Sequence, residues 1–433
     1  MSQKVKKLLL QHPVSLTPQL IFGIMAKATE NYLYVWEVEM IIKPRVKNFI
    51  CLTAHPEGCR ESVYRQMQYV KSQPLLNSKQ RTLVIGSSTG YGLSSRICAA
   101  WADCSPTIGV CYEKPASSNR TATSGWYNMA AFEELAHQDG LYARTINGDA
   151  YSEKVKAEAA ALIKKDLGQI DLLIYSVAAP RRKMPDGTMY TSVLKTVGKP
   201  FTSISLDLEK NRLVDKTILP ANQQEIEATV HVMGGEDWSD WVSVLKSENL
   251  LSDHFHTVAY SYIGPEMTYP IYKEGTIGQA KNHLYNTALQ LSAMGIPAFV
   301  SVNKAIVTQS SAAIPIVPLY IAVLYKVMKE AGTHENTIEQ MYRLWNQFSG
   351  NNNPVMDIPG RIRLDDLEMR EDVQKKAIEY LGRISDSNLQ EYADIEGFWK
   401  DFYRLFGFDY ENINYDLDIA ADKPIYGMIQ CTD

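Results

Sequence analysis

Between residues 82 and 176, four short β-branched runs, TLVIG, TIGVCY, LYARTI and IDLLIYS, alternate with longer segments of helical periodicity. A strand followed by a helix and then another strand is the pattern of a βαβ crossover. The alternation therefore restricts the chain to an α/β fold on a parallel sheet. The runs TVAYSYIG (257–264) and AFVSV (298–302) continue that sheet. Residues 180–235 change to mixed short strands and turns, an insertion expected at the carboxyl edge of the sheet and reaching to about 256. After residue 331 the pattern is helical, with amphipathic spacing at 336–348 and 371–382.

Residues 1–39 read as a leader without an assigned role, because Met40 opens the strand-like IIKPRV; residues 40–433 form one unit around a core at 80–330. The stretch 305–325 carries no charge, but Pro315, Pro318 and its polar residues break it, so a loop and a buried helix are expected there rather than a membrane span. A net charge of -5, from 44 basic and 49 acidic residues, gives no footprint for nucleic acid or anionic lipid. Six cysteines without a CxxC pair suit a reducing, cytoplasmic compartment. His55 and Cys59 lack further partners, and no metal is expected.

TLVIG runs into SSTGYGLSSR, which sets Gly86, Ser87, Ser88, Thr89, Gly90, Tyr91 and Gly92 at a strand-to-helix turn. Glycine there lets backbone amides approach a pyrophosphate at the helix N-terminus. The second strand ends at Tyr112 and Glu113, 21 residues after Gly92. A carboxylate at this position accepts from adenosine ribose hydroxyls and repels a 2′-phosphate, so NADH is expected over NADPH. Asp149 and Ala150 close the third strand, where a carboxylate either meets adenine or caps the next helix. Val177 and Ala178 follow the fourth strand beside the cofactor ribose.

After the fifth strand come Tyr260, Tyr262, Tyr272 and Lys281, with eight residues between Tyr272 and Lys281 and with Gly275 and Gly278 as a turn before a helix. A lysine beside a nicotinamide ribose orients the cofactor and lowers the pKa of a neighbouring phenol, which then donates to developing oxyanion charge. Arg181, Arg182 and Lys183 are either solvated or meet carrier phosphates. The helix at 314–328 either walls an acyl crevice or is core. The same residues suit a short-chain carbonyl (3-ketoacyl) reductase or a non-catalytic NADH-sensing protein.

The segments IIKPRVKNFICLTAHPEGC, VIGSSTGYGLSSR, SGWYNMAAF, YSVAAPRR, MGGEDW, YSYIGPE, KAIVTQSSAAIPIVPLY and LFGFDYENINYD, in that order from Met40 to the C-terminus, resemble the FabV-type enoyl-acyl-carrier-protein reductases and bacterial trans-2-enoyl-CoA reductases. The resemblance implies a Rossmann-type, doubly wound, short-chain-reductase-like monomer with an enlarged substrate-binding insertion and a helical C-terminal part. It implies NADH-dependent reduction of enoyl thioesters on acyl carrier protein or coenzyme A, in fatty acid biosynthesis. By position Tyr272 is the proton donor, Lys281 the cofactor-contacting lysine and Tyr262 the substrate-contacting tyrosine. Gly86 to Tyr91, Tyr112, Glu113, Asp149, Ala150, Val177 and Ala178 match NADH-binding positions, and Ile306, Val307 and Thr308 match the backbone that meets the nicotinamide carboxamide. LFGFDYENINYD has no feature that requires a flavin.

Overall fold

The computed structural model describes residues 39–433 apart from 48–49, 118–119, 310, 312–313, 349–353 and 432–433; all but the last residue of the 1–39 leader lies outside the described residues. Its centre is an eight-stranded parallel sheet: β1 (Thr82–Ile85), β2 (Thr107–Cys111), β3 (Ala143–Asn147), β4 (Ile170–Tyr175), β5 (Leu251–Ser261), β6 (Ala298–Val302), β7 (Ile362–Arg363) and β8 (Ile429–Gln430). Their spatial order is β7-β6-β5-β4-β1-β2-β3-β8. This is the doubly wound α/β arrangement.

Helices cover both faces: α1 (Pro56–Lys71), α2 (Gly90–Trp101), α3 (Ser124–Gln138), α4 (Glu153–Asp166), α5 (Gln223–Met233), α6 (Glu236–Ser247), α7 (Thr276–Ala293), α8 (Val317–Glu330), α9 (Thr337–Phe348), α10 (Glu371–Arg383) and α11 (Ile395–Arg404). One face packs under α1 to α3 and α8 to α11. The other packs under α4, α6 and α7, where Trp238 and Trp241 are fully buried. Because both faces are covered, β1 and β2 are buried at every position and read as unbroken apolar runs instead of alternating ones.

Strand ends fall within a few residues of the sequence reading, and the larger differences are these. β3 begins at Ala143, not residue 141. β5 begins at Leu251, six residues before the expected start at 257, and its register against β4 shifts between Leu251 and His256. The insertion is only half β-structure: two hairpins, Arg181–Lys183 with Met189–Thr191 and Phe201–Asp207 with Arg212–Ile218, are followed by α5 and α6. α6 puts its tryptophans on the sheet, so it belongs to the core layer. Nor is the C-terminal part purely helical, since it supplies both edge strands, β7 and β8.

Within 305–325 the helix starts at Val317, and no helix of the described residues is long and apolar enough to cross a membrane. His55 accepts from the Gly58 amide at 3.2 Å and caps α1, and Cys59 is buried behind it. No group of three metal-ligating side chains occurs among the described residues. Arg182 is neither solvated nor free for a phosphate: it is buried, 2.6 Å from Glu236, and donates to the His231 carbonyl. Arg181 and Lys183 stay exposed.

The α8–α11 layer shares one apolar cluster with the sheet, and Phe398 of α11 has no exposed surface. Phe398→Ala is expected to lower the stability of the whole chain by about 3–5 kcal/mol through cavity formation. Urea unfolding followed by far-UV circular dichroism measures it. A loss under about 1 kcal/mol would mean that the C-terminal helices unfold apart from the sheet.

Candidate active site

From β1 the chain winds outward through β2 and β3, then returns to place β4 on the other side of β1, so their carboxyl ends flank the switch point where open sheets bind ligands. Gly86 leaves β1 there with φ +81°, and a Cβ on it would lie 2.2 Å from the Ser176 carbonyl oxygen beyond β4. No other residue fits. Three residues later Thr89 is the N-cap of α2, but its hydroxyl makes no capping hydrogen bond. The first-turn amides of α2 are thus left to an outside acceptor, which suits a pyrophosphate.

Not every residue of the turn faces that acceptor. The Ser87 hydroxyl is buried and donates to the Val110 carbonyl at 3.2 Å. The Tyr91 phenol turns inward, donating to the Lys304 carbonyl at 2.8 Å and lying 3.0 Å from Gln340 Oε1. For both positions only the backbone is available to a cofactor. Ser88 donates to Glu113 Oε1 at 2.6 Å, which joins the turn to the end of β2.

The Glu113 carboxylate lies against the start of α3, where a Cβ on Gly125 would come within 2.1 Å of Oε1. Burial pushes its carboxyl above the ordinary range, and hydroxyl hydrogen bonds from Ser88 and Thr123 pull it back. Asn147 holds the backbone of Glu113 from both sides, accepting from its amide at 2.7 Å and donating to its carbonyl at 2.9 Å. Asn147 in turn donates to Gln430 Oε1 on β8. Tyr112 is 66% exposed, open to stack on a planar ligand. Asp149 does not cap α4: its carboxylate accepts from the Tyr151 amide, and Ser152 is the cap. The Ala150 carbonyl accepts from Trp241 Nε1 at 3.1 Å. Val177 is half-buried and Ala178 exposed at the end of β4.

A cavity of about 420 Å³ opens beside this turn, and its wall includes Thr89 and Gly90 together with Ile306, Val307 and Thr308. The structure therefore brings the glycine turn and the 306–308 strap, over two hundred residues apart, onto one space. The Val307 amide is already taken by the Tyr325 hydroxyl at 3.3 Å.

Tyr262 and Tyr272 meet beyond the end of β5, Lys281 reaches back to the Tyr260 carbonyl within that strand, and none of the three is on the wall of that cavity. Tyr272 ends a one-turn helix (Tyr269–Tyr272), and its ring meets Tyr262 edge-on, with centroids 4.8 Å apart and planes at 87°. Lys281 projects from α7, which starts at Thr276, so Gly278 lies inside the helix and not in the turn before it. Its Nζ donates to the Tyr260 carbonyl at 3.1 Å, and burial lowers its pKa to about 8. Burial pushes the Tyr272 phenol up, with Glu368 adding to the rise, which is opposite to the expected lowering by Lys281. Tyr272 is thereby kept protonated, as a donor. Glu368 is the member that sequence reasoning missed, since nothing marks it out within LDDLEMRED.

Comparison with known proteins places the chain in one family. Residues 41–118 match the NAD(P)H binding domain of trans-2-enoyl-CoA reductase, 120–348 the trans-2-enoyl-CoA reductase catalytic region and 356–419 the enoyl reductase FAD binding domain. The chain is 47% identical to the NADH trans-2-enoyl-CoA reductase of Ruminiclostridium cellulolyticum, over 90% of this chain and all of that protein. It is 52% identical to the NADH enoyl-acyl-carrier-protein reductase of Flavobacterium psychrophilum, covering 88% and 97%. The crystal structure of Treponema denticola trans-2-enoyl-CoA reductase in complex with NAD superposes with a TM-score of 0.86 at 45% identity, covering 89% and 100%. That of the Clostridium acetobutulicum reductase in complex with NADH gives 0.86 at 42%, covering 88% and 98%.

The residues at 356–419 do not fit a flavin. None of their glycines follows a sheet strand into a helix, and Phe398, Phe402, Phe406 and Phe408 are buried in the core. The segment instead adds Asp401, Arg404 and Phe406 to the wall of the cavity beside the glycine turn.

Burial of Lys281 gives a signed expectation for stability. Its pKa falls from 10.5 when unfolded to about 8 when folded, so the ammonium destabilises the fold below pH 8, and the penalty fades as pH rises from 8 through 10.5. Lys281→Met is expected to stabilise the protein at pH 7, by up to about 3 kcal/mol, and by much less at pH 9.5. Urea denaturation at the two values checks this; a gain independent of pH would contradict it.

Proposed function

The chain belongs to the trans-2-enoyl-CoA reductase family, and from that premise we propose that it saturates the double bond of trans-2-enoyl thioesters with NADH. Bound NADH supplies the hydride, which goes to the β-carbon of the substrate. Negative charge then moves to the thioester oxygen as an enolate, and the site's task is to stabilise and protonate it. The observation that carries this reading is Tyr272: a half-buried phenol, held protonated and edge-on to Tyr262, two residues on from the Tyr260 carbonyl that accepts from the Lys281 ammonium.

Tyr272 gives its proton to the enolate, and Tyr262 contacts the substrate beside it. Lys281 donates to the nicotinamide ribose and adds positive charge near the reacting centre. The α2 amides hold the pyrophosphate, Glu113 accepts from the adenosine ribose, and Asp149, Val177 and the 306–308 strap complete the cofactor contacts. Hydrogen bonds from Ser88 and the grip of Asn147 support the Glu113 assignment, because a carboxylate set this firmly meets a 2′-phosphate with repulsion that it cannot turn away from.

Relatives of both names, coenzyme A reductase and carrier-protein reductase, are about equally similar to the chain, which favours a site that takes the thioester from either carrier, in fatty acid biosynthesis. We place the chain in the cytoplasm as a monomer.

Crotonyl-CoA should drive NADH oxidation while acetoacetyl-CoA does not, and the reverse preference would make the chain a carbonyl reductase. Tight NADH binding without turnover of either would make it a sensor. Tyr272→Phe should lower kcat by about 10²–10³, the loss of one oxyanion donor; near-parental kcat would remove Tyr272 from its role. The ratio of kcat/KM for NADH over NADPH should exceed about tenfold and collapse in Glu113→Ala.

A further inference from the structure

Glu368 has no exposed surface, and it receives three hydrogen bonds from three separate parts of the chain. Its Oε1 accepts from the Tyr262 hydroxyl at 3.1 Å and from the Tyr320 hydroxyl of α8 at 2.7 Å. Its Oε2 accepts from the Ala305 amide at 2.7 Å, the residue that opens the 306–308 strap. Gln374 of α10 donates to both the Glu368 carbonyl and Tyr320, so the loop that carries the carboxylate is itself pinned. Lys304 lies next to the same peptide, donating to the Ala305 carbonyl at 2.9 Å.

A phenol has one proton to donate. That of Tyr262 points at Glu368, whereas the Tyr272 hydroxyl donates to none of the described residues. We propose that Glu368 is a positioning residue for the reduction: it holds Tyr262 and the 306–308 strap in one register, and by engaging the Tyr262 proton it leaves Tyr272 to protonate the substrate. This rests on the reading given under Proposed function. Hydride brings two electrons to the β-carbon, the π bond opens to the enolate, and the O–H bond of Tyr272 breaks as the proton passes to it. Water reprotonates the phenolate.

Glu368→Gln keeps the side chain's size but turns one oxygen into an N–H donor, so that either the Ala305 amide or the tyrosine pair loses its acceptor. A buried donor left unpaired corresponds to roughly tenfold in rate or affinity. With crotonyl-CoA, E368Q is therefore expected to lose about tenfold in kcat and to raise the KM for NADH. In a Tyr262→Phe background the same substitution should cost less than about twofold in kcat, while the rise in NADH KM persists. A role confined to stability would not split the two parameters in this way.

Parental kcat in E368Q would overturn the proposal, as would a kcat loss that multiplies in full with that of Tyr262→Phe. Should E368Q fail to fold, Glu368→Asp, which keeps the charge but shortens the reach, is expected to show the same split. A chain that unfolds with either substitution makes Glu368 a folding residue and defeats the assignment. If the parent protein itself does not reduce crotonyl-CoA with NADH, the proposed function fails; if the parent is active and E368Q equally so, only the positioning role does.

Discussion

The carboxyl ends of β1 and β4 meet with Gly86 pressed on the Ser176 carbonyl, and the rest of the site is arranged around that contact. It exists because the strand order reverses at this point, so that two loops leave the sheet in opposite directions and open a crevice between them. Only a residue without a Cβ permits the approach. Once the turn is set, α2 must start at Gly90, and its amides must point into the crevice. Ser88 then falls within hydrogen-bonding distance of Glu113 at the end of the neighbouring strand.

The chemistry beyond β5 depends on burial more than on charge. Tyr262 and Tyr272 are kept neutral by desolvation, and Lys281 is pushed toward neutrality by the same cause. In a low-dielectric pocket a neutral phenol is a donor ready for a developing oxyanion, and fixed groups need no reorganisation when the charge appears. The cost is borne by the fold: Glu368 and Lys304 are buried charges and Lys281 a half-buried one, tolerated because each has a hydrogen-bond partner.

The C-terminal hundred residues bind these two regions together. β7 extends one edge of the sheet and leads into the loop that carries Glu368, while β8 closes the other edge and places Gln430 on Asn147, behind Glu113. Both ends of the cofactor crevice are thus steadied by a part of the chain far from the glycine turn in sequence.

From the sequence alone one could read the parallel sheet, the glycine turn and the acidic end of β2, because each is a local pattern: a run of β-branched residues, a spacing, a helix start. Boundaries slipped where pattern and packing disagree, as at β5, whose polar first half still pairs with β4, and at α6, whose tryptophans mark it as a core helix inside an apparent insertion. Side-chain direction was not legible. Ser87 and Tyr91 belong to the turn yet spend their hydroxyls on the interior, and Arg182 looks like a surface charge yet is buried against Glu236. Glu368 was invisible, because an acid in an acidic loop acquires a role only when the fold sets two tyrosines and a backbone amide around it. Hydrogen bonding between distant segments is a property of three-dimensional proximity, and that is what the tertiary structure alone decided.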